Sequence, residues 1–449
     1  MGLNVGSQWL ILVSFGVHAF CNQFMYMNFA VVPIIAADTF RVEPADANWF
    51  YSAALLASVP SFLCAMAFID TWNWTTSLTG VLATVAAAWI RCLAVQRHSF
   101  ALAIASSVAL GPGTGVAFTG FAELPARLFP PGREQSFSSG VAVQSAFLGW
   151  ALGGLFAPIC ISSQSTMLYF CLVQALAVSL CLPVFLYCDR GPADRGYEAG
   201  EASSHGAEKS IEVDEASSHG TESSQTSSGT SEDAVSPLEP ARSILCNWRL
   251  LLQSLACSLL QAVGYTVPAV QEEVFDGEGY DRFQCAAAGF LFIMAGVAMG
   301  MLASGSASLS NPRQLVVALF WVGSMALCGL ELLVRYFSED LTALGHNGKY
   351  AVYLSLMISV GACSLGFLSV ALPLVCALAW PVSEAYVGGA VELLGVGLAA
   401  PLTTFSTGHG FSVCAGTSLV SALLMSAGSW PGPSKDHSGH RVLTPEEKP

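Results

Sequence analysis

Charge is what this sequence has least of. Only 11% of its 449 residues are Asp, Glu, Lys or Arg, against roughly 25% in soluble domains. Gln8–Ile35, Gln135–Tyr187 and Tyr350–Ser383 hold none at all, which excludes a water-soluble fold. The apolar runs are about 19 to 29 residues long, whereas barrel strands need only about ten alternating residues. Helices therefore satisfy the backbone in lipid here.

Other absences narrow the function. The 14 cysteines lie almost all in apolar runs, without metal-ligand or disulfide-framework spacing, and are expected to pack helices. Gly111-Pro112-Gly113-Thr114-Gly115 lacks the Lys-Ser/Thr ending of a phosphate loop and lies within an apolar run, so ATP is not expected to drive the protein. No catalytic triad and no metal constellation is visible. The expectation is therefore a protein that is not an enzyme, with no cofactor, no metal and no nucleic-acid partner. His18, in an uncharged run, reads as a packing residue rather than a haem ligand.

What is present is a two-times-six layout. The expected spans are 8–35, 47–69, 77–95, 100–122, 136–159 and 165–187, then 246–270, 284–304, 314–335, 350–378, 385–405 and 411–428. They divide the chain into an N-terminal six-helix bundle (1–188), a polar insert (189–245), a C-terminal six-helix bundle (246–430) and a tail (431–449). Asp189 to Ser243 carries 12 acidic and 4 basic residues, so −8 of the net charge of −14 sits in one loop. This Ser-, Glu- and Gly-rich stretch is expected to be disordered, because it cannot bury enough apolar surface to offset its ordering entropy.

Placing the N-terminus in the cytoplasm puts eleven Lys and Arg inside and six outside, the positive-inside bias. Both termini are then expected to be cytoplasmic, in a multi-pass protein of the plasma membrane. The sequon at Asn73 falls on the inner side and is expected to be unused. The first run lacks a basic start and is too long for a signal peptide, so it is expected to be a retained span.

The halves echo each other. Arg133-Glu134 enters the fifth span as Ser383-Glu384 enters the eleventh, and Asn22 precedes Tyr26 by four residues as Gln261 precedes Tyr265. Internal symmetry of this kind places a ligand between two bundles near the midplane. Glu392 sits inside the eleventh span, one turn before Val396. A carboxylate there costs roughly 2.5–3.5 kcal/mol on insertion scales and faces a cavity or a partner. It is a candidate counter-ion for a cationic substrate or a proton-coupling site, with a protonated packing role as the alternative. For Gln144 an interhelical hydrogen bond and a ligand contact both remain open.

Asp46-Ala47-Asn48-Trp49-Phe50, Trp89-Ile90-Arg91-Cys92, the loop Leu124 to Glu134, Gly140-Val141-Ala142-Val143-Gln144 and Trp380-Pro381-Val382-Ser383-Glu384 carry a resemblance. They resemble the feline leukaemia virus subgroup C receptor-related family of the major facilitator superfamily. The resemblance implies an all-helical, twelve-span fold of two pseudo-symmetric bundles and transport by alternating access. It also implies a choline- or ethanolamine-type cation, with haem or a pyridine vitamin as alternative cargo coupled to protons. On that alignment Tyr26 stands at a family Trp, Tyr265 at a family Tyr and Gln144 at a family Gln, while Val396 replaces a family amide. A quaternary ammonium has no N–H to donate, so aromatic faces are its natural partners.

The expected substrate site is Tyr26, Tyr265, Gln144, Asn22, Gln261 and Glu392. Asp70, Arg127, Arg133, Glu134 and Glu384 are expected to form a latch at the cytoplasmic helix ends, although Asn73-Trp74-Thr75 replaces the superfamily's Gly and Arg after Asp70. Pro125, between Glu123 and Arg127, threatens their pairing. The run Glu272, Glu273, Asp276, Glu278 and Asp281 reads as an acidic rim or a plain solvated loop. The expected partners are a small solute and the bilayer, around a monomer. A non-transporting receptor or sensor is the reading from another class.

Overall fold

The computed structural model describes residues 5–29, 31–43, 46, 48–67, 74–130, 133–188, 246–305, 312–379, 382, 384–406 and 409–428. The insert and the tail lie outside these residues. Among the described residues the secondary structure is entirely helical. The N-terminal half contains α1 (Val5–Tyr26), α2 (Pro33–Phe40), α3 (Asn48–Ala67), α4 (Trp74–Arg97), α5 (Phe100–Leu128), α6 (Arg133–Cys160) and α7 (Gln164–Cys188). The C-terminal half contains α8 (Trp248–Gly277), α9 (Arg282–Gly305), α10 (Pro312–Tyr336), α11 (Gly345–Gly366), α12 (Leu368–Leu378), α13 (Glu384–Ser406) and α14 (Ser412–Ala427).

With α11 and α12 taken as one stretch, ten crossings are long and apolar enough to span a bilayer. α1 and the 16-residue α14 bring the described crossings to twelve. The face of the molecule where α1 begins is called the near face, and the opposite one the far face.

The expected first span, 8–35, is interrupted. α1 stops at Tyr26, and a second helix starts at Pro33. Proline is suited to a first helical position because its ring fixes φ and it has no N–H to leave unpaired. It also pushes the preceding residue out of helical geometry, and Val32 sits at φ −132°, ψ 53°. The carbonyl of Met25, at the break, accepts hydrogen bonds from the Asn28 N–H at 3.4 Å and from Arg91 Nη1. The Arg91 guanidinium lies 4.7 Å from the centroid of the Phe29 ring. Arg91, one of the six basic residues expected at the outer side, is instead buried inside the bundle.

The same pairings occur in both halves. α3 and α4 pack on α5, α1 on α6, and α4 on α7; correspondingly α9 and α10 pack on α11, α8 on α13, and α10 on α14. Across the seam α6 meets α9 and α12, while α13 meets α3 and α5. Glycines set the closest approaches. A Cβ on Gly111 would stand 2.6 Å from the Ala57 carbonyl oxygen, so the glycines of the 111–115 run let α5 lie against α3. At the near face, added Cβ atoms on Gly140 and Gly389 would strike Ser304 and Met66 of the other half. The halves therefore touch tightly there.

Candidate functional site

On α8, Gln261 and Tyr265 are four residues apart and share a helix face. The Gln261 amide donates to the Tyr265 hydroxyl at 2.9 Å and to Glu392 Oε2 at 2.5 Å. The Tyr265 hydroxyl donates to the same carboxylate oxygen at 3.4 Å. Glu392 is 0% exposed. Its second oxygen has no hydrogen-bond partner, and neither does Gln261 Oε1. No basic side chain among the described residues is ion-paired with Glu392. Val396, one turn on, is buried as well.

Aromatic rings from the other half cover this cluster. Trp150 of α6 meets Tyr265 edge-on at 5.5 Å between centroids, and Phe147 lies at 6.3 Å. The Trp150 indole N–H has no partner. Tyr51 of α3 stands edge-on to Tyr26 at 6.1 Å. Tyr26 and Tyr265 stand at repeat-related positions of the two halves. Both are buried, at 4% and 6% exposure.

The symmetry-related residues of the N-terminal half are bound within it. The Tyr26 hydroxyl lies 2.6 Å from Ser58 and accepts from Thr114 at 3.0 Å. Asn22 donates to Thr84 at 3.2 Å and to the Leu110 carbonyl at 3.3 Å, and it accepts from Thr114 and Gln23. The side chain has two donors and two lone-pair sites, so its capacity is filled. His18 joins the same network through Thr84 at 3.0 Å.

Gln144 crosses the seam. Its amide donates to Ser369 of α12 at 2.9 Å, and it is seated on Gly300 of α9, where an added Cβ would stand 2.1 Å from Nε2. Its oxygen has no partner. This is the interhelical bond that the sequence left as one of two alternatives.

Arg127 pairs with Glu123 at 2.5 Å. α5 runs on to Leu128 through Pro125, which keeps positions four apart on one face. Glu134 is exposed. Asp70 and Asn73 and the side chains of Arg133 and Glu384 lie outside the described residues. In the acidic rim, Glu278 is ion-paired with Lys349, and Asp281 caps the Gln284 N–H at 2.7 Å. Glu278 thus ties the end of α8 to the start of α11, and Asp281 caps the start of α9.

A cavity of about 330 Å³ opens between the α1–α2 link, α2, α6, α8 and α9 on the far side of this cluster. Pro268 and Ala151 line it, one turn or less beyond Tyr265 and Trp150.

Two helical halves touch tightly at the near face, a cavity lies between them toward the far face, and the buried acid of the C-terminal half bonds to Tyr265 beneath Trp150 of the other half. In agreement, the sequence profile of the Major Facilitator Superfamily matches residues 15–424. The chain belongs to the Major Facilitator Superfamily. As a superfamily member it is a multi-pass membrane transporter and not an enzyme. Among curated proteins it is similar to "Choline/ethanolamine transporter FLVCR1" of Mus musculus, 26% identical over 160 residues. That match covers 35% of this chain and 28% of the mouse protein. The Felis catus protein of the same name is 25% identical over 176 residues, covering 38% of this chain and 30% of its own. Both bear the name of the family that the motifs resemble. Among solved structures, a bacterial homologue of the iron transporter ferroportin in an outward-facing state shares the superfamily fold. Its TM-score is 0.61 at 12% identity, with 94% of this chain and 98% of that one covered.

Sequence reasoning missed Trp150, Phe147 and Tyr51. One signal was available: Gln144, Phe147 and Trp150 recur every three residues in an uncharged span, which aligns them along one side of α6.

Proposed function

We propose that this superfamily member carries a small organic cation of the choline or ethanolamine type by alternating access. The observation that supports it best is Glu392, a wholly buried carboxyl group with one oxygen held by Gln261 and Tyr265 and the other unpartnered. A buried carboxylate needs a counter-charge, and no basic residue described here supplies one. A cationic substrate fills that role, with the rings of Tyr265 and Trp150 beside it as cation–π partners contributing roughly 0.5–2 kcal/mol. A proton fills it when the substrate is absent, so protons and substrate compete for Glu392.

In this reading Tyr265, Gln261 and Glu392 bind, Tyr26 adds an aromatic face of its own beside Tyr51, and Asn22 positions Tyr26 through Thr114. Gln144 holds the near face shut, and the charged helix ends around Arg127, Arg133, Glu134, Asp70 and Glu384 act as the latch. The two curated relatives, whose names state choline and ethanolamine transport, support the same substrate class.

The test is uptake of radiolabelled choline and ethanolamine by proteoliposomes containing the purified chain. Saturable uptake that Tyr265→Ala abolishes is expected. Equal uptake in protein-free liposomes, or full uptake by the variant, overturns the proposal. A thermal-shift screen with haem and pyridoxine separates the other cargoes, because a ligand of the folded state stabilises it by mass action.

A further inference from the structure

We infer that the far-face cavity between α6 and α9 is a binding site for a lysophospholipid, separate from the cluster around Glu392. The cavity runs along α9 from Arg282 to Ile293, about 16 Å at roughly 1.5 Å per residue. That is the depth of one leaflet, half of a hydrocarbon core of about 30 Å. Its wall is mainly apolar, and two residues on it, Ile159 and Phe283, are 56% and 63% exposed. Large apolar side chains bared at a helix end face lipid, so the slot opens toward acyl chains. Its volume of about 330 Å³ is at the small end of the range for ligand sites, about 300–1,000 Å³. It therefore suits one chain better than two.

The polar groups sit at the shallow end. Arg282, the first residue of α9, is exposed and forms no ion pair among the described residues; the neighbouring Asp281 is committed to capping α9. A guanidinium fits a phosphate through paired N–H donors. Gln271 is 5% exposed and donates to the Cys285 carbonyl at 3.3 Å, which leaves its Oε1 as a buried acceptor with no partner. The head group must therefore bring an anion for Arg282 and an O–H donor for Gln271. A lysophospholipid has both, in its phosphate and its free glycerol hydroxyl. A fatty-acid carboxylate brings no donor.

Gly154 makes the site testable. It lines the cavity, and a Cβ added there meets nothing within 4 Å, so a side chain can start there without a backbone clash and Gly154→Leu extends into the slot. The purified full chain is photolabelled with lysophosphatidylcholine carrying a diazirine in its acyl chain, and the adducts are mapped by mass spectrometry. Adducts on 151–161 and 283–293 are expected, lost in Gly154→Leu and reduced about tenfold in Arg282→Ala, the loss of one charge-assisted contact. Unlabelled lysophosphatidylcholine should compete, and palmitate should not.

Adducts scattered over the lipid-facing surface and unchanged in Gly154→Leu overturn the inference. Competition by palmitate as strong as by lysophosphatidylcholine does so as well, and so does labelling displaced by choline alone, which would make the cavity a vestibule for the small cation. Choline uptake by the same variants is recorded separately. The inference does not rest on the cation reading, and either can fail without the other.

Discussion

Trp150 and Tyr265 meet edge-on across the seam between the two halves, with centroids 5.5 Å apart and ring planes at 69°. One ring comes from α6 and the other from α8, so in the alternating-access reading proposed above this contact changes as the bundles rock. The pair couples a wall of the proposed cation site to the motion that exposes it.

Replacing Trp150 by Ala removes one cation–π face and an aromatic pair, together about 1–3 kcal/mol. Choline KM in proteoliposomes should rise about tenfold or more, while Trp150→Phe keeps most of the affinity. An unchanged KM in Trp150→Ala would remove this ring from the site.

Glu392→Gln keeps the shape and hydrogen bonds of the acid but cannot ionise. Wild-type uptake of choline should weaken on acidification, because protons occupy Glu392 when it must be a carboxylate to hold the cation. The Gln variant should transport poorly at every pH and show no such dependence. A pH profile that survives in Glu392→Gln points to another titrating group.

Gln144 and Ser369 share a side-chain hydrogen bond between the halves on the near side of the cluster, at 2.9 Å. Ser369→Ala removes it at a cost of about 0.5–1.5 kcal/mol, a roughly two- to tenfold shift in the balance of access states. Cross-linking between cysteines introduced at Gly140 and Ser304, which face each other at the near face, should slow correspondingly. Equal cross-linking rates would show that the bond does not hold that face closed.

Arg91 caps the break after α1 from within the bundle. Arg91→Met leaves the Met25 carbonyl with only the long Asn28 N–H contact at 3.4 Å and removes a charge-assisted hydrogen bond, a cost of about 1.5–3 kcal/mol. The melting temperature of the purified protein should fall, and Arg91→Lys should recover only part of it, because an ammonium cannot lie flat on Phe29 while reaching the carbonyl. A melting temperature equal to wild type in Arg91→Met would show that the break needs no cap.

The crossings were legible because lipid gives the backbone no hydrogen-bond partner, so a long uncharged run has to be a helix. The break at Met27–Val32 was less so. Hydropathy continues unbroken to Ile35, and only Pro33 marks the new start. Glu392 stood out for the same reason as the crossings: a charge inside an apolar span is costly wherever it points. Its neighbours Gln261 and Tyr265 were found through the repeat between the halves, a pattern within the chain itself. Trp150 and Phe147 were overlooked because an aromatic residue in a transmembrane helix looks the same in sequence whether it faces lipid, a neighbouring helix or a ligand.

By itself, then, the sequence determined that this chain is a two-part helical membrane protein with an acid in its eleventh span, since composition and periodicity decide what can exist in hydrocarbon. Only the tertiary structure decided which side chains meet. It tied Asn22 into its own half, set Gln144 as a bridge across the seam, closed Trp150 over Tyr265 and opened a leaflet-deep slot between α6 and α9. The reason is that contacts across the seam depend on how two separately folded bundles are turned against each other, and no local stretch of chain encodes that angle.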